Sequence, residues 1–445
     1  MNISGKWNDN MVSAAVRCLA VVLLCGNMHI ASAAWTNGQA ATFALGAVDL
    51  TTAGSGAATA SSFGASDICT DPVTGKVFVM DINNNRILRF SSAQGIITNG
   101  TAEAVFGQLD FTSSTINNGG LSASSLQNPW ACAIDGAGHL FVTDYGNTRV
   151  LRYDNAATKA SSAAADGVLG QADFVSAATG TTATTFLGGQ MSGIAIGSNG
   201  SLYVSDPASK RVLRFDNAAS KANGAAADGV LGVPDFTTAG AGSVTASTFT
   251  IPNGLAVDAA GNLYVSDSNI ASRVLRFNNA ASKVNGAAAD GVLGAPDFTT
   301  AGGGAASQSN FSNWVHGVAV AADGSLYVVD WNWGRVTIFN NAAGKANGAN
   351  ADNVLGQLNF TATASGTTAS SFNSPNGVGI NPVQGYLMVA DYHNQRVMGF
   401  YNASLLPAPS APASIPTLDE WGTITLACLL AIGSIVTLRR RPQNS

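Results

Sequence analysis

Aromatic side chains are unevenly distributed along this 445-residue chain. Of the five tryptophans between residues 35 and 404, three lie within one stretch of twenty residues. Exposed rings with hydrogen-bonding neighbours form platforms for sugar rings or for protein side chains. We therefore expect a patch that binds polysaccharide or protein, although the same rings could simply fill gaps between structural units. Its candidate residues are Trp130, Trp314, His316, Trp331, Trp333, Tyr392 and His393.

Side chains for metal binding or acid–base catalysis are scarce in the same region. Between residues 35 and 404 there are one glutamate, Glu103, and three histidines. Neither a Ser-His-Asp or Cys-His arrangement nor an acidic calcium-binding loop is recognisable. A calcium site is a weaker alternative, because amide and carbonyl oxygens can hold this ion. Its ligands would be Asn253, His316 and Asn376, and no other cofactor is expected.

A repeat of about 62 residues occurs six times between positions 45 and 402. Its clearest copy, residues 251–298, reads IPNGLAVDAAGNLYVSDSNIASRVLRFNNAASKVNGAAADGVLGAPDF. A fixed period of this size predicts a propeller or a solenoid. An Asp followed by an Arg recurs in every copy, and we interpret the two as a structural ion pair that clamps a loop. The pairs are Asp81 and Arg86, Asp144 and Arg149, Asp206 and Arg211, Asp267 and Arg273, Asp330 and Arg335, and Asp391 and Arg396.

Each copy predicts four short strands separated by Gly, Asn and Asp turns. Apolar residues in these strands are nearly continuous, which is typical of strands covered on both faces. The segments GLAVD, GNLYVSD and RVLRF resemble NHL repeats. The resemblance implies an all-β fold, a six-bladed β-propeller over residues 35–404. Because NHL-like and gluconolactonase-like propellers include metal-dependent hydrolases and lyases, it also implies an enzymatic alternative to binding; a purely structural matrix role is the third.

The ring of blades is predicted to close through its N-terminal segment. A VLGxxDF-type segment follows the RVLRF strand in five copies, beginning at Val105, Val168, Val230, Val292 and Val354. The sixth copy lacks this segment, but residues 43–50 read FALGAVDL and precede the first copy. We expect these residues to complete blade six, which would cover strand edges that otherwise invite aggregation.

In a propeller, the loop that enters each innermost strand lies near the axis, where ligands usually bind. Non-identical residues are predicted just before these six strands, so specificity would arise there. They are Ser66, Trp130, Ser192, Asn253, His316 and Asn376.

Two cysteines, Cys69 and Cys132, lie on the predicted innermost strands of blades one and two. A disulfide between them is feasible in an oxidising envelope. Two buried thiols are the favoured alternative, because sheets packed about 10 Å apart exceed the reach of a disulfide except close to the axis.

The two ends of the chain read as targeting segments. Residues 1–34 combine Arg17, the apolar stretch CLAVVLLC and an Ala-Ser-Ala site, as secretory signal peptides do. After a Pro/Ala/Ser linker at 405–414, residues 415–445 contain IPTLDEWG, a short apolar run long enough for a marginal transmembrane segment, and an Arg tail. This tail resembles IPTL-CTERM sorting signals, which implies recognition by a membrane-embedded sorting enzyme; a plain membrane anchor is the alternative. Whether the tail is a sorting signal or a membrane anchor, we expect the propeller to lie outside the inner membrane, at the cell surface or in the extracellular space.

Charge composition excludes one class of partner. The formal net charge is −5, and no run of Lys and Arg exists between residues 35 and 404. Nucleic-acid binding needs clustered positive charge to replace counterions. We therefore expect no nucleic-acid partner.

Overall fold

The computed structural model describes residues 34–91, 98–188 and 191–407. The predicted leader, the transmembrane segment and the sorting tail lie outside the described residues, apart from Ala34 at the end of the leader. Residues 405–407, assigned to the linker, are described, and the first of them belongs to the propeller, because Leu405 ends a 3-10 turn and is buried in the core. Within the described part of the chain, no helix has the length and hydrophobicity needed to cross a bilayer.

Six four-stranded antiparallel sheets form the described structure, which is the predicted six-bladed β-propeller. Blades one to three contain Ala65–Thr70, Val77–Asp81, Arg86–Phe90 and Ala104–Phe106; Pro129–Ile134, Leu140–Asp144, Arg149–Tyr153 and Gly167–Leu169; and Ile194–Ile196, Leu202–Asp206, Arg211–Phe215 and Gly229–Leu231. Blades four to six contain Pro252–Val257, Leu263–Asp267, Arg273–Phe277 and Gly291–Leu293; Val315–Val320, Leu326–Asp330, Arg335–Phe339 and Asn353–Leu355; and Pro375–Asn381, Tyr386–Asp391, Arg396–Tyr401 and Phe43–Leu45. Short 3-10 turns occupy Ile82–Asn84, Tyr145–Asn147, Ala218–Ser220, Ala280–Ser282, Ala342–Gly344, Tyr392–Asn394 and Ala403–Leu405.

The second strand of each blade is buried along its whole length or nearly so, as the continuous apolar pattern predicts. Leu263–Asp267 is an example, with all five residues buried. Its Leu263 and Val265 pack with residues of blade three, whereas Tyr264 packs with residues of blade five. The core is therefore a set of layers between adjacent blades, and no blade has a complete core of its own.

Blade six closes as predicted, because Phe43–Leu45 pairs with Arg396–Tyr401 as the fourth strand. The closing segment also extends further back than expected. Trp35 is buried and donates from Nε1 to the hydroxyl of Tyr327 in blade five, at 3.0 Å. Gly399 replaces the second Arg of the RVLRF strand because the ring of Phe43 occupies the space that any side chain there would need.

Residues 37 and 38 form a pair of hydrogen bonds that also links other blades to their neighbours. Asn37 Oδ1 accepts a bond from the amide of Val354, and the amide of Gly38 donates to the Val354 carbonyl. Asn223 and Gly224 make the same pair of bonds to Val168. The N-terminal segment therefore supplies both the outer strand of blade six and the loop before it, although it lies at the opposite end of the sequence.

Each repeated Asp forms a buried ion pair with its Arg. Arg149 Nε lies 2.7 Å from Asp144 Oδ2, and its terminal nitrogens donate to the carbonyl oxygens of Ser122, Ser125 and Phe174. Burial raises the pKa of Asp144, and the charge of Arg149 opposes that effect. Each pair therefore joins a strand pair to two outer loops. The Nε-to-carboxylate distances in the six blades span 2.7–3.1 Å.

Cys69 and Cys132 form a disulfide, so the favoured expectation of two buried thiols is wrong. Their Cα atoms lie 5.8 Å apart, within the usual range for a disulfide. The separation is short because the innermost strands of neighbouring blades converge at the axis, where the general sheet spacing does not apply. The bond joins blades one and two across 63 residues of sequence.

Candidate functional site

Six polar or aromatic residues surround the axis, but most of them lie inside the innermost strands and not before them. The strands begin earlier than predicted because a residue such as Pro252 pairs with the clamp residue Asp267. A register shift follows immediately in blades one, two, four, five and six. Such bulges re-aim the side chains that follow the last regular pair. The residues placed around the axis are Ser66, Trp130, Ser192, Asn253, His316 and Asn376.

Above this ring, a cavity of about 100 Å³ opens between blades two and five, which lie opposite each other in a six-membered ring. On one side, the Trp130 and Tyr145 rings are in contact with their centroids 5.8 Å apart. On the other side stand Trp314, which is 39% exposed, and His316. We call this cavity the mouth. Its lining residues are Trp130, Tyr145, Ser192, Ile251, Asn253, Trp314 and His316.

An aromatic cluster extends from the mouth across blades five and six. The imidazole of His316 stacks on Trp331 with centroids 4.7 Å apart, and Trp314 meets it edge-on at 5.9 Å. Trp331 also contacts Tyr392 at 5.4 Å and His393 at 5.3 Å. The structure therefore brings together five of the seven candidates from the sequence, and Trp130 faces two of them across the mouth.

Trp333 lies apart from this cluster in the ring contacts of the described residues. The guanidinium of Arg335 sits 4.6 Å from the centroid of its indole. Its carbonyl accepts a bond from Gln357 Nε2 at 3.0 Å. This tryptophan packs on the Arg of the buried ion pair of blade five, which favours a structural role for it.

His316 is held as a neutral imidazole. Its Nδ1 lies 2.6 Å from Asn376 Oδ1, and an amide oxygen can only accept, so this nitrogen carries the proton. Burial lowers the pKa of His316 to about 4, against the opposing effect of the bond to Asn376. At neutral pH its Nε2 is consequently an acceptor, available to a hydroxyl or ammonium donor.

The three candidate calcium ligands lie around the same axis. The Asn376 oxygen is engaged by His316, and Asn253 Nδ2 donates to Ser268 Oγ at 2.9 Å. Over the described residues, no three His, Cys, Asp or Glu side chains converge as a metal site would require.

Two residues of this region, Tyr145 and Asp67, were not among the site residues predicted from the sequence. Tyr145 follows the clamp residue Asp144 just as Trp331 follows Asp330, and this repeat position could have revealed it. Asp67 occupies the position after the ring residue of blade one. The other five blades have Ala131, Gly193, Gly254, Gly317 and Gly377 there, so an alignment of the copies would have singled it out.

Comparison with known proteins identifies the C-terminal tail and supplies structural neighbours. Residues 413–441 match the IPTL-CTERM motif, and no curated protein matches the chain. Similar solved structures include a structural genomics protein of unknown function from Bacteroides thetaiotaomicron (13% identity, 83% of this chain and 75% of that chain, TM-score 0.46). A Streptogramin B lyase (10% identity, 76% and 93%, TM-score 0.42) and hydrazine synthase from Kuenenia stuttgartiensis (12% identity, 77% and 96%, TM-score 0.46) are also similar.

Proposed function

We propose that this protein is an exported binding module whose propeller mouth takes a saccharide. The observation that carries the proposal is the mouth itself, where Trp130 and Tyr145 face Trp314 and His316 across a cavity of about 100 Å³. Indole and phenol rings offer flat apolar faces to the C–H surface of a sugar. Asn253 and Ser192 supply polar groups to the hydroxyls between them.

The charge of the mouth favours a neutral or cationic ligand over an anionic one. None of its lining residues is Lys or Arg, and burial lowers the pKa of His316 to about 4, so this side chain is uncharged at neutral pH. An anionic ligand would have no cation to replace its lost hydration. These properties support a neutral sugar ring as the simplest occupant.

The IPTL-CTERM motif at residues 413–441 supports a location at the cell surface or beyond it. In that setting, polysaccharides are an abundant class of ligand, and a membrane-embedded sorting enzyme is the expected partner of the tail. The propeller would display its mouth to the surrounding matrix.

A thermal-shift screen against neutral oligosaccharides tests this function. At least one should raise the Tm of the protein, and Trp314→Ala should abolish the shift without lowering the Tm of the unliganded protein. Tyr401→Ala is the matched control, because Tyr401 is 44% exposed and packs on Tyr386, outside the mouth. A shift that survives Trp314→Ala, or responds only to a protein partner, would contradict a saccharide site at the mouth.

A further inference from the structure

Among the described residues, one carboxylate lines the axial cavity of the propeller, and it belongs to the residue that follows Ser66 of the ring. Asp67 occupies a position that is Gly or Ala in the other five blades. Gly377 of blade six approaches it so closely that a side chain at residue 377 would collide with the carboxylate. The small residues thus leave room at the axis for one acidic group.

This carboxylate has hydrogen-bond donors but no positive partner in its cavity. Asp67 Oδ2 accepts a bond from the amide of Cys132 at 3.2 Å. The cavity around it measures about 60 Å³, and none of its lining residues is Lys or Arg. Burial raises the pKa of Asp67 to about 7, because the ionised form has lost water without gaining a counter-charge.

Unpartnered polar groups in the same cavity are a second observation that favours a ligand. Asn376 is only 3% exposed, yet its Nδ2 has no hydrogen-bond partner among the described residues. The hydroxyl of Ser192 is likewise unpartnered there. Buried polar atoms are almost always paired. The hydroxyl oxygen of Ser192 can accept a bond from an ammonium group, whereas the N–H of Asn376 needs an acceptor such as a sugar hydroxyl oxygen.

The axial cavity is continuous with the mouth. Trp130, Ser192, Asn253 and His316 line both of them. Asp67 follows the ring residue Ser66 along the innermost strand of blade one and lines the axial cavity. A sugar held on the aromatic rings of the mouth would therefore direct a substituent toward the carboxylate.

We propose that the ligand is an amino sugar with a free amine, whose ammonium group enters the axial cavity and pairs with Asp67. The inference rests on the proposed saccharide-binding function and names its substrate class. A cavity of about 60 Å³ has room for an ammonium group. The cationic amine supplies the counter-charge that the cavity lacks, and aromatic rings at the mouth hold the sugar above it.

Calorimetric titration with two matched oligosaccharides tests the proposal. Glucosamine oligomers and N-acetylglucosamine oligomers of equal length share their rings and differ in carrying an ammonium or a neutral amide. The wild-type protein at pH 7 should bind the glucosamine oligomer about tenfold more tightly, as expected for charge-assisted hydrogen bonds. Asp67→Asn should reduce this affinity ratio to about one. Asp67→Ala, which installs the residue of blade two, repeats the test if Asn perturbs the fold.

Each remaining outcome has a distinct meaning. Equal affinity for both oligomers in the wild-type protein, or a preference that persists in both Asp67 variants, would overturn the amino-sugar inference and leave saccharide binding intact. The absence of binding by either oligomer, together with a failed neutral panel, would overturn the proposed function itself. Calcium chloride and N-acetyl-lysine methylamide are titrated in parallel. Binding of either one that depends on Asp67, without binding of the glucosamine oligomer, would also overturn the amino-sugar inference.

Discussion

Replacing Asp67 with Asn should stabilise the unliganded protein at pH 7 and leave its stability at pH 4 nearly unchanged. The pKa of this carboxyl rises from 3.8 to about 7 on folding, so between these values the folded state binds a proton that the unfolded state has released. Its contribution to the free energy of unfolding therefore falls as the pH rises through this range. The difference between the two pKa values corresponds to about 4 kcal/mol at neutral pH, at about 1.4 kcal/mol per pKa unit.

Guanidinium unfolding of the wild-type protein and the Asp67→Asn variant at a series of pH values measures this effect. The other titratable group of the axial cavity is His316, and Cys132 does not titrate because it is in a disulfide. The pKa of His316 falls to about 4 on folding, so its contribution decreases on acidification, and it is present in both proteins. The difference between the two proteins should therefore grow from pH 4 to pH 7. A difference that is constant with pH would refute a desolvated, unpaired carboxylate at the axis.

Three further predictions concern the architecture. Reduction of the disulfide between Cys69 and Cys132 should lower stability by about 4 kcal/mol, from the loop of 63 residues that it closes; an unchanged Tm in reductant would contradict a structural role. Arg211→Gln leaves a buried carboxylate without its charge partner, so the Tm should fall by the equivalent of about 3–5 kcal/mol, whereas a surface ion pair would cost less than about 1 kcal/mol. Trp35→Ala should cost about 3–5 kcal/mol, because the indole is buried against blade five; a loss below about 1 kcal/mol in a denaturant titration would show that the N-terminal segment closes the ring through its strand alone.

Much of the fold could be predicted because the same sequence pattern occurs six times. A strand that ends in Asp, a turn and an Arg that begins the next strand recur in every copy, and each copy needs its neighbours to bury its apolar residues. The missing outer strand of the sixth copy pointed to residues 43–50, of which Phe43–Leu45 forms the strand. The continuation of the closure to Trp35 was harder to predict, because residues 34–42 share only Asn37-Gly38 and Ala40-Ala41 with the NGAAA segment of other copies.

The site was less predictable because it depends on how six strands converge. Trp314, His316 and Trp331 could be singled out by residue type, but the sequence pattern did not distinguish Trp333, which packs on Arg335. The disulfide was disfavoured for a related reason, since average sheet spacing does not describe the narrow axis. Asp67 differs from its equivalents by a carboxyl group alone, and its significance appears only once the axial cavity is seen.

Tryptophan fluorescence during a saccharide titration is the sharpest test of whether the mouth binds a saccharide between two aromatic walls. Trp130 and Trp314 line the mouth, so stacking of a sugar ring should change their emission in a saturable manner. We expect this change to be lost in the Trp130→Ala/Trp314→Ala double variant and retained in Tyr401→Ala. A saturable change that persists in the double variant would contradict binding at the mouth, because the sugar would then be bound elsewhere on the propeller.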